Sequence, residues 1–354
     1  MFPEFGSVGR PPCAANALTF DSLGELLDAG IREFSSDADG NARYFFRGEC
    51  GFFPDSLPNI FRSEKLFKRE KQIFQDALNR VPVLFENCPT TFDKLCQMQH
   101  YEFPTRILDV TSDLATAWFM VVDGWSANEV VNNAVNPRNP IFFCPNIVVF
   151  RVPVGREKFV DSDLVSALAN IARMNETFNI WHLRHEVRQE RYNFGEDVEF
   201  MKRKIREEWG HNWIVSPRMS NPRVRRQKGA FILCGLTQEN CEELARERKI
   251  KKTKKDLRTG LCYPKLEWNP GKQATDEISI CGRFVPSRKL FREVSDAIAA
   301  GTQTYRDVAR IQCAVENFKR KIFEELAFVG NGESDAYADD YVRQAKACRR
   351  YFEK

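Results

Sequence analysis

The sequence of 354 residues has no run approaching the ~20 apolar residues that a membrane span requires. Its first eighteen residues carry Arg10 as their only basic side chain and have no apolar core of signal-peptide type, so neither secretion nor membrane insertion is expected. Eleven cysteines are present, but no two form a Cys-x-x-Cys pair. The odd count and the spacing fit neither a disulfide framework nor a zinc knuckle. Most lie beside apolar residues, as in Phe143-Cys144 and Leu233-Cys234, as expected of free thiols acting as small hydrophobes in a reducing cytoplasm. Gly-x-Gly-x-x-Gly after a strand, a Walker Gly-Lys-Ser/Thr and a Gly-x-Ser-x-Gly elbow are all missing, so no dinucleotide fold, P-loop or serine-hydrolase site is supported. His182 and His185, with Glu186 beside them, supply two possible ligands on one helix face but no third, and no metal is expected.

What is present is ordinary globular composition: 43% apolar, 29% charged, net charge +4, with enough length for a substantial core. The periodicity predicts helices over 21–34, 64–80, 91–100 and 114–122, a helical stretch over about 162–209, and helices near 287–300, 302–328 and 337–352. Strands are expected at Tyr44–Phe46, stopping at Gly48, and at Arg106–Val110, Ile147–Val152, Ala230–Cys234 and Ile278–Val285. Residues 1–20 read as loop, and 126–140, with five Asn and two Pro, as a surface insertion. Strands scattered among helices without regular βαβ spacing give an α+β fold.

Three segments place polar residues where a core would prefer none. Phe46-Arg47-Gly48-Glu49 ends a buried strand with a guanidinium, which needs an anionic partner, and with a glycine that would let a ligand approach the backbone. Gln97 to Ser112 gathers His100, Tyr101, Thr105, Arg106, Asp109 and Thr111. Asn221 to Phe231 leads Arg223, Arg225, Arg226, Gln227 and Lys228 into a strand through Gly229. Residues 246–258 add eight Lys/Arg against two acids, a local charge of +6 that includes Lys251, Lys252, Lys254 and Lys255.

Together these segments resemble the FRG-domain family. The resemblance rests on the Phe-Arg-Gly motif at 46–48, a Pro-x-x-x-Arg step at Pro58–Arg62, the block Gln99–Thr111 and the Gln-x-Gly-x-Phe close at Gln227–Phe231. Glu102 stands where the family commonly has glycine, and Val110 where it commonly has tryptophan. The motif order is in turn similar to that of the ADP-ribosyltransferase fold. It implies a split mixed β-sheet core with helical elaborations. The expected organisation is an N-terminal helix and loop (1–40), the core (41–245), a basic insertion (246–276) and a C-terminal strand and helices completing the same domain (277–354).

On that resemblance NAD is the substrate, and no metal is involved. Arg47, with Arg106 second, would take the pyrophosphate through its fork of donors. Tyr101 would stack on nicotinamide or its ribose, His100 and Thr105 would hydrogen-bond the ribose or adenine end, and Gly48 and Thr111 would line the same site. Gly229 occupies the place of the usual catalytic glutamate. Asp109, ahead of Glu49, is therefore the candidate for stabilising charge at the ribose carbon, and Gln227 would orient the acceptor. Arg223, Arg225, Arg226, Lys228, Lys251 and Lys252 would lead a phosphate backbone past the site, with Trp209, Trp213 and Trp268 available to stack on unpaired bases. The expected activity is ADP-ribosylation of nucleic acid, a base amine on single-stranded DNA foremost. Such a toxin or antiphage activity calls for an antitoxin or inhibitor partner, and plain NAD hydrolysis would use the same site. The alternative is a non-catalytic sensor that binds NAD, a nucleotide or nucleic acid. The bland readings also stand: an Arg47–Asp109 ion pair locking two strands, a satisfied core His100, a helix cap at Asp109, and a solvated basic loop.

Overall fold

The computed structural model describes residues 17–34, 40–51, 53, 56–128, 130–131, 145–175, 178, 180–190, 198–218, 228–236, 241–242, 277–287, 289–302 and 304–328. Eight strands form one open, mixed sheet: β1 (Ala17–Phe20), β2 (Ala42–Glu49), β3 (Ile107–Thr111), β4 (Asn146–Pro153), β5 (Glu157–Phe159), β6 (Trp213–Ser216), β7 (Gly229–Leu233) and β8 (Ser279–Pro286). Their order is β1-β8-β4-β2-β3-β7-β6-β5, with β1/β8 and β5/β6 parallel and the other neighbours antiparallel. The helices are α1 (Leu23–Phe34), α2 (Glu64–Lys68), α3 (Glu70–Arg80), α4 (Thr91–His100), α5 (Leu114–Asp123), α6 (Asp163–Asn170), α7 (Ile180–Gln189), α8 (Val198–Glu208), α9 (Arg292–Ala299) and α10 (Tyr305–Phe328). The fold is α+β.

The sheet divides into two halves of four strands. β2 pairs with β4 over eight residues, from Ala42↔Pro153 to Glu49↔Asn146, yet it meets β3 at one pair, Phe46↔Thr111. Each half has its own helical cover. Tyr44 and Phe46 of β2, Ile147 and Val149 of β4 and Phe284 of β8 pack beneath α1, α5, α9 and α10. Ile107 of β3, Phe231 and Leu233 of β7 and Trp213 and Val215 of β6 pack beneath helices that include α3, α4 and α6. Alternation along each strand sends the intervening residues to the opposite face. There Phe45, Leu108, Val110, Val148, Phe150 and Ile232 join a buried cluster that contains no residue of a described helix.

Several expectations are corrected. Residues 17–20 are the edge strand β1 rather than loop, since Leu18 pairs with Phe284 and Phe20 with Pro286. The single helix over 64–80 is two, broken at Arg69, and the stretch 162–209 is three. β5 and β6 were not anticipated; at three and four residues they are too short for alternation to register. β2 does not stop at Gly48 but runs on to Glu49. Within the expected surface insertion, Val130 and Val131 are buried in the core under β2 and β4. The expected last helix, 337–352, and the whole of the basic insertion, 246–276, lie outside the described residues. Among the described residues no helix is long and apolar enough to cross a membrane.

Candidate functional site

The site lies where the two half-sheets meet. On one side, β2 carries Arg47 onto the face of Phe45. On the other, α4 and the turn after it deliver the block 99–111. α4 begins with a reciprocal cap, in which Thr90 accepts from the Asp93 amide while the Asp93 carboxylate accepts from that of Thr90. It ends at His100, with Tyr101 as the C-terminal cap. Glu102 then turns the chain with φ +61°, the left-handed region that glycine occupies at little cost. A glycine would make the same turn without the cost that a Cβ carries there. The Phe103 amide donates to the Met98 carbonyl, and Pro104 and Thr105 lead into β3.

Side chains of this block close a polar network across the seam. Arg47 Nη1 donates to the backbone carbonyl of Asp109 at 2.9 Å and also to Asp109 Oδ1. Gln99 Nε2 donates to the same Oδ1 at 2.8 Å, and Thr105 Oγ1 donates to Gln99 Oε1 at 2.5 Å, fixing the amide's orientation. Behind Arg47, Glu49 Oε1 lies 3.6 Å from Nε. Burial works against the charge of Asp109, but Arg47 and the hydrogen bonds it receives outweigh this and hold the carboxyl below its ordinary value. Burial likewise opposes the Arg47 cation, and Asp109 and Glu49 more than offset it. Among the described residues, two atoms of the pair have no hydrogen-bond partner and are not buried: Arg47 Nη2 and Asp109 Oδ2. The site thus offers one open donor and one open acceptor on an ion pair that is otherwise held from behind.

The structure brings Arg47, Asp109, Thr105 and Gln99 together; Gln99, at the head of the motif block, was not among the expected site residues. It separates others. Arg106 points away from the seam into a bidentate pair with Glu70 of α3, at 2.8 and 2.5 Å, with both side chains 2% exposed. Its expected role on a pyrophosphate is therefore replaced by a core ion pair. Gly48 is also corrected. A Cβ there would lie 2.1 Å from the Ala117 carbonyl oxygen and 2.7 Å from the Val121 amide, so its bare backbone admits α5 rather than a ligand. Thr105 and Thr111 are fully buried and cannot reach a ribose. Thr111 Oγ1 accepts from the Asp113 amide, and Asp113, not Asp109, caps α5 by accepting from the Thr116 amide. His100 and Tyr101 are half-buried and meet edge to face, with centroids 5.1 Å apart, and Tyr101 packs against the core.

On the third motif, Gly229 pairs with Thr111 in the β3/β7 ladder. Lys228, with φ +46°, is exposed and reaches Asp113 Oδ1 at 3.1 Å. Gln227, Arg223, Arg225, Arg226, Lys251, Lys252 and Trp268 lie outside the described residues. Trp209 and Trp213 are buried, so neither presents a ring for a base to stack on. His182 and His185 are exposed on α7, and among the described residues no three His, Cys, Asp or Glu gather as a metal site.

No curated protein and no solved structure matches the chain. Residues 42–129 match the family model of the FRG domain. That span opens on the first residue of β2 and closes just beyond α5, so it encloses Arg47, Gln99, Thr105 and Asp109 as one unit. By this match the segment 42–129 is similar to the FRG domain.

Proposed function

We propose that this protein is an NAD-dependent ADP-ribosyltransferase of the interior of the cell, with a base amine of single-stranded nucleic acid as acceptor. The observation that carries the reading is Asp109: a carboxylate held ionised beside Arg47, fixed through Oδ1 by Gln99, with Oδ2 left open. NAD supplies a ribose carbon that becomes electron-poor as its bond to nicotinamide breaks. Asp109 Oδ2 opposes the positive charge that develops there, and the fixed Oδ1 means that no reorganisation is needed as it does so. Arg47 Nη2 donates to an acceptor oxygen of the same ligand. The incoming amine forms the new bond at the carbon that nicotinamide leaves, and its proton passes to solvent. Lys228, exposed at the entry to β7, supplies positive charge for a phosphate backbone. The seam between half-sheets, bridged by the single pair Phe46↔Thr111, supports the split core of the ADP-ribosyltransferase fold.

One observation favours the second reading, a non-catalytic sensor for a nucleotide. Gly229 offers no carboxylate in the place where such transferases carry one, and the Arg47 charge is offset by two carboxylates at once. Incubation of the pure protein with NAD labelled in its ADP-ribose half, and with separate pools of single-stranded DNA, duplex DNA, RNA and protein, decides between them. Label on single-stranded DNA, absent with Arg47→Ala, is the expected result. Saturable NAD binding without transfer or nicotinamide release establishes the sensor.

A further inference from the structure

Four charges alternate in sign from β3 across the seam to β8: Asp109, Arg47, Glu49 and Arg283. Glu49 is the pivot, with its side chain 1% exposed, one oxygen 3.6 Å from Arg47 Nε and the other 3.3 Å from Arg283 Nη1. Arg283 is itself fixed, donating from Nη1 to Asn146 Oδ1 at 2.5 Å and from Nη2 to the Phe53 carbonyl at 2.6 Å, while Asn146 Nδ2 donates to the Gly51 carbonyl at 3.0 Å. Arg47 Nε and Glu49 Oε1 are buried and make no hydrogen bond, so charge attraction holds them together.

This arrangement bears on what Arg47 would do if left alone with Asp109. The strong geometry for an arginine and a carboxylate is the parallel fork, with two donors on two oxygens. A fork would consume Arg47 Nη2 and Asp109 Oδ2, the two atoms that the site leaves open. We propose that Glu49 and Arg283 are positioning residues: their pull on the Nε side prevents Arg47 from closing onto Asp109 and so keeps the site open to its ligand. Arg283 enters from β8, well outside the FRG match, so the site is set by a part of the chain that the motifs do not include. The effect on turnover rests on the NAD reading above, whereas the orientation of Arg47 does not.

The test uses the full chain and two readouts: the guanidinium ¹⁵N resonances of Arg47, assigned by their loss in Arg47→Lys, and steady-state NAD kinetics. Glu49→Gln alone leaves Arg283 buried without its carboxylate and is expected to destabilise the fold. The double variant Glu49→Gln/Arg283→Met removes one charge of each sign and is the decisive one. It should shift the Arg47 resonances to those of an end-on fork, with Nη1 and Nη2 both hydrogen-bonded, and raise KM for NAD about tenfold, the scale of one charge-assisted hydrogen bond. Arg283→Lys, which keeps the charge, should stay near the wild type in both. Unchanged Arg47 resonances in the folded double variant overturn the proposal, as does a shift that leaves KM unaltered. Shifted resonances in a chain whose wild type neither binds nor cleaves NAD uphold the positioning role and overturn the NAD reading instead.

Discussion

Arg47 and Arg106 face the same problem and solve it differently. Each is an arginine on or beside a core strand, and each reaches a carboxylate on another element. Arg106 meets Glu70 fork to fork, both side chains 2% exposed. Arg47 meets Asp109 through one nitrogen, with the side chains 12% and 33% exposed. The first pair has satisfied its directional bonding and is inert to any ligand; it ties α3 to the start of β3. The second keeps a donor and an acceptor in hand. A polar residue in a core motif is therefore a poor indicator of function by itself. What distinguishes a site is the hydrogen-bonding capacity left over after the protein has used its share.

The largest effect expected of this contrast is on stability at the closed pair. Arg106→Met should cost about 3–5 kcal/mol, because it strands a buried Glu70 carboxylate, whereas Arg106→Met/Glu70→Met should recover most of the loss. Urea unfolding measures both, and a single variant within about 1 kcal/mol of the wild type would remove the contrast.

Asp109→Asn, at the open pair, should abolish NAD turnover while costing only about 1–3 kcal/mol at neutral pH, the worth of hydrogen bonds to a charged group. The sign of its pH dependence follows from the lowered Asp109 value. The stabilisation is fully present above the unfolded-chain value of about 3.9 and is lost as pH falls through the folded one. The gap between wild type and variant should accordingly narrow below about pH 4. A gap that is constant from pH 7 to pH 3 would mean that Asp109 acts through shape and not charge.

The smallest effect concerns the turn between the two arginine systems. Glu102→Gly should stabilise the chain by about 1 kcal/mol, by relieving a left-handed backbone at a residue with a Cβ, and should leave turnover unchanged. A thermal melt that falls would show that the Glu102 side chain contributes more than its backbone costs.

The two levels of the structure differ in how far the sequence discloses them. α4 and α5 were legible almost to the residue because their apolar period is clean and each starts at a capping side chain, Thr90 or Asp113. β1, β5 and β6 were not, since three or four residues carry too little alternation. Within the site, Arg47 and Asp109 stood out as charges flanked by core residues. Glu70 did not, because a carboxylate in the first turn of a helix reads as a dipole partner on a solvated face. Gly48 was visible, but its purpose was not: bare backbone serves a ligand or a helix equally well until the neighbour is known. Arg283 lies in a strand far along the chain, and its partnership with Glu49 is a matter of sheet order, which local pattern does not encode.

Sheet order also governs when the protein can form. β8 lies between β1 and β4, so β1 gains this strand partner only once residue 286 has left the ribosome. At ordinary elongation rates that interval is on the order of tens of seconds. Once β4 has been made, the edge that will face β8 lacks that strand's amides and carbonyls, and the apolar side chains of α1 await the strand that completes their floor. Premature termination before β8 would yield a product that lacks not only an edge of the sheet but also the arginine behind its site.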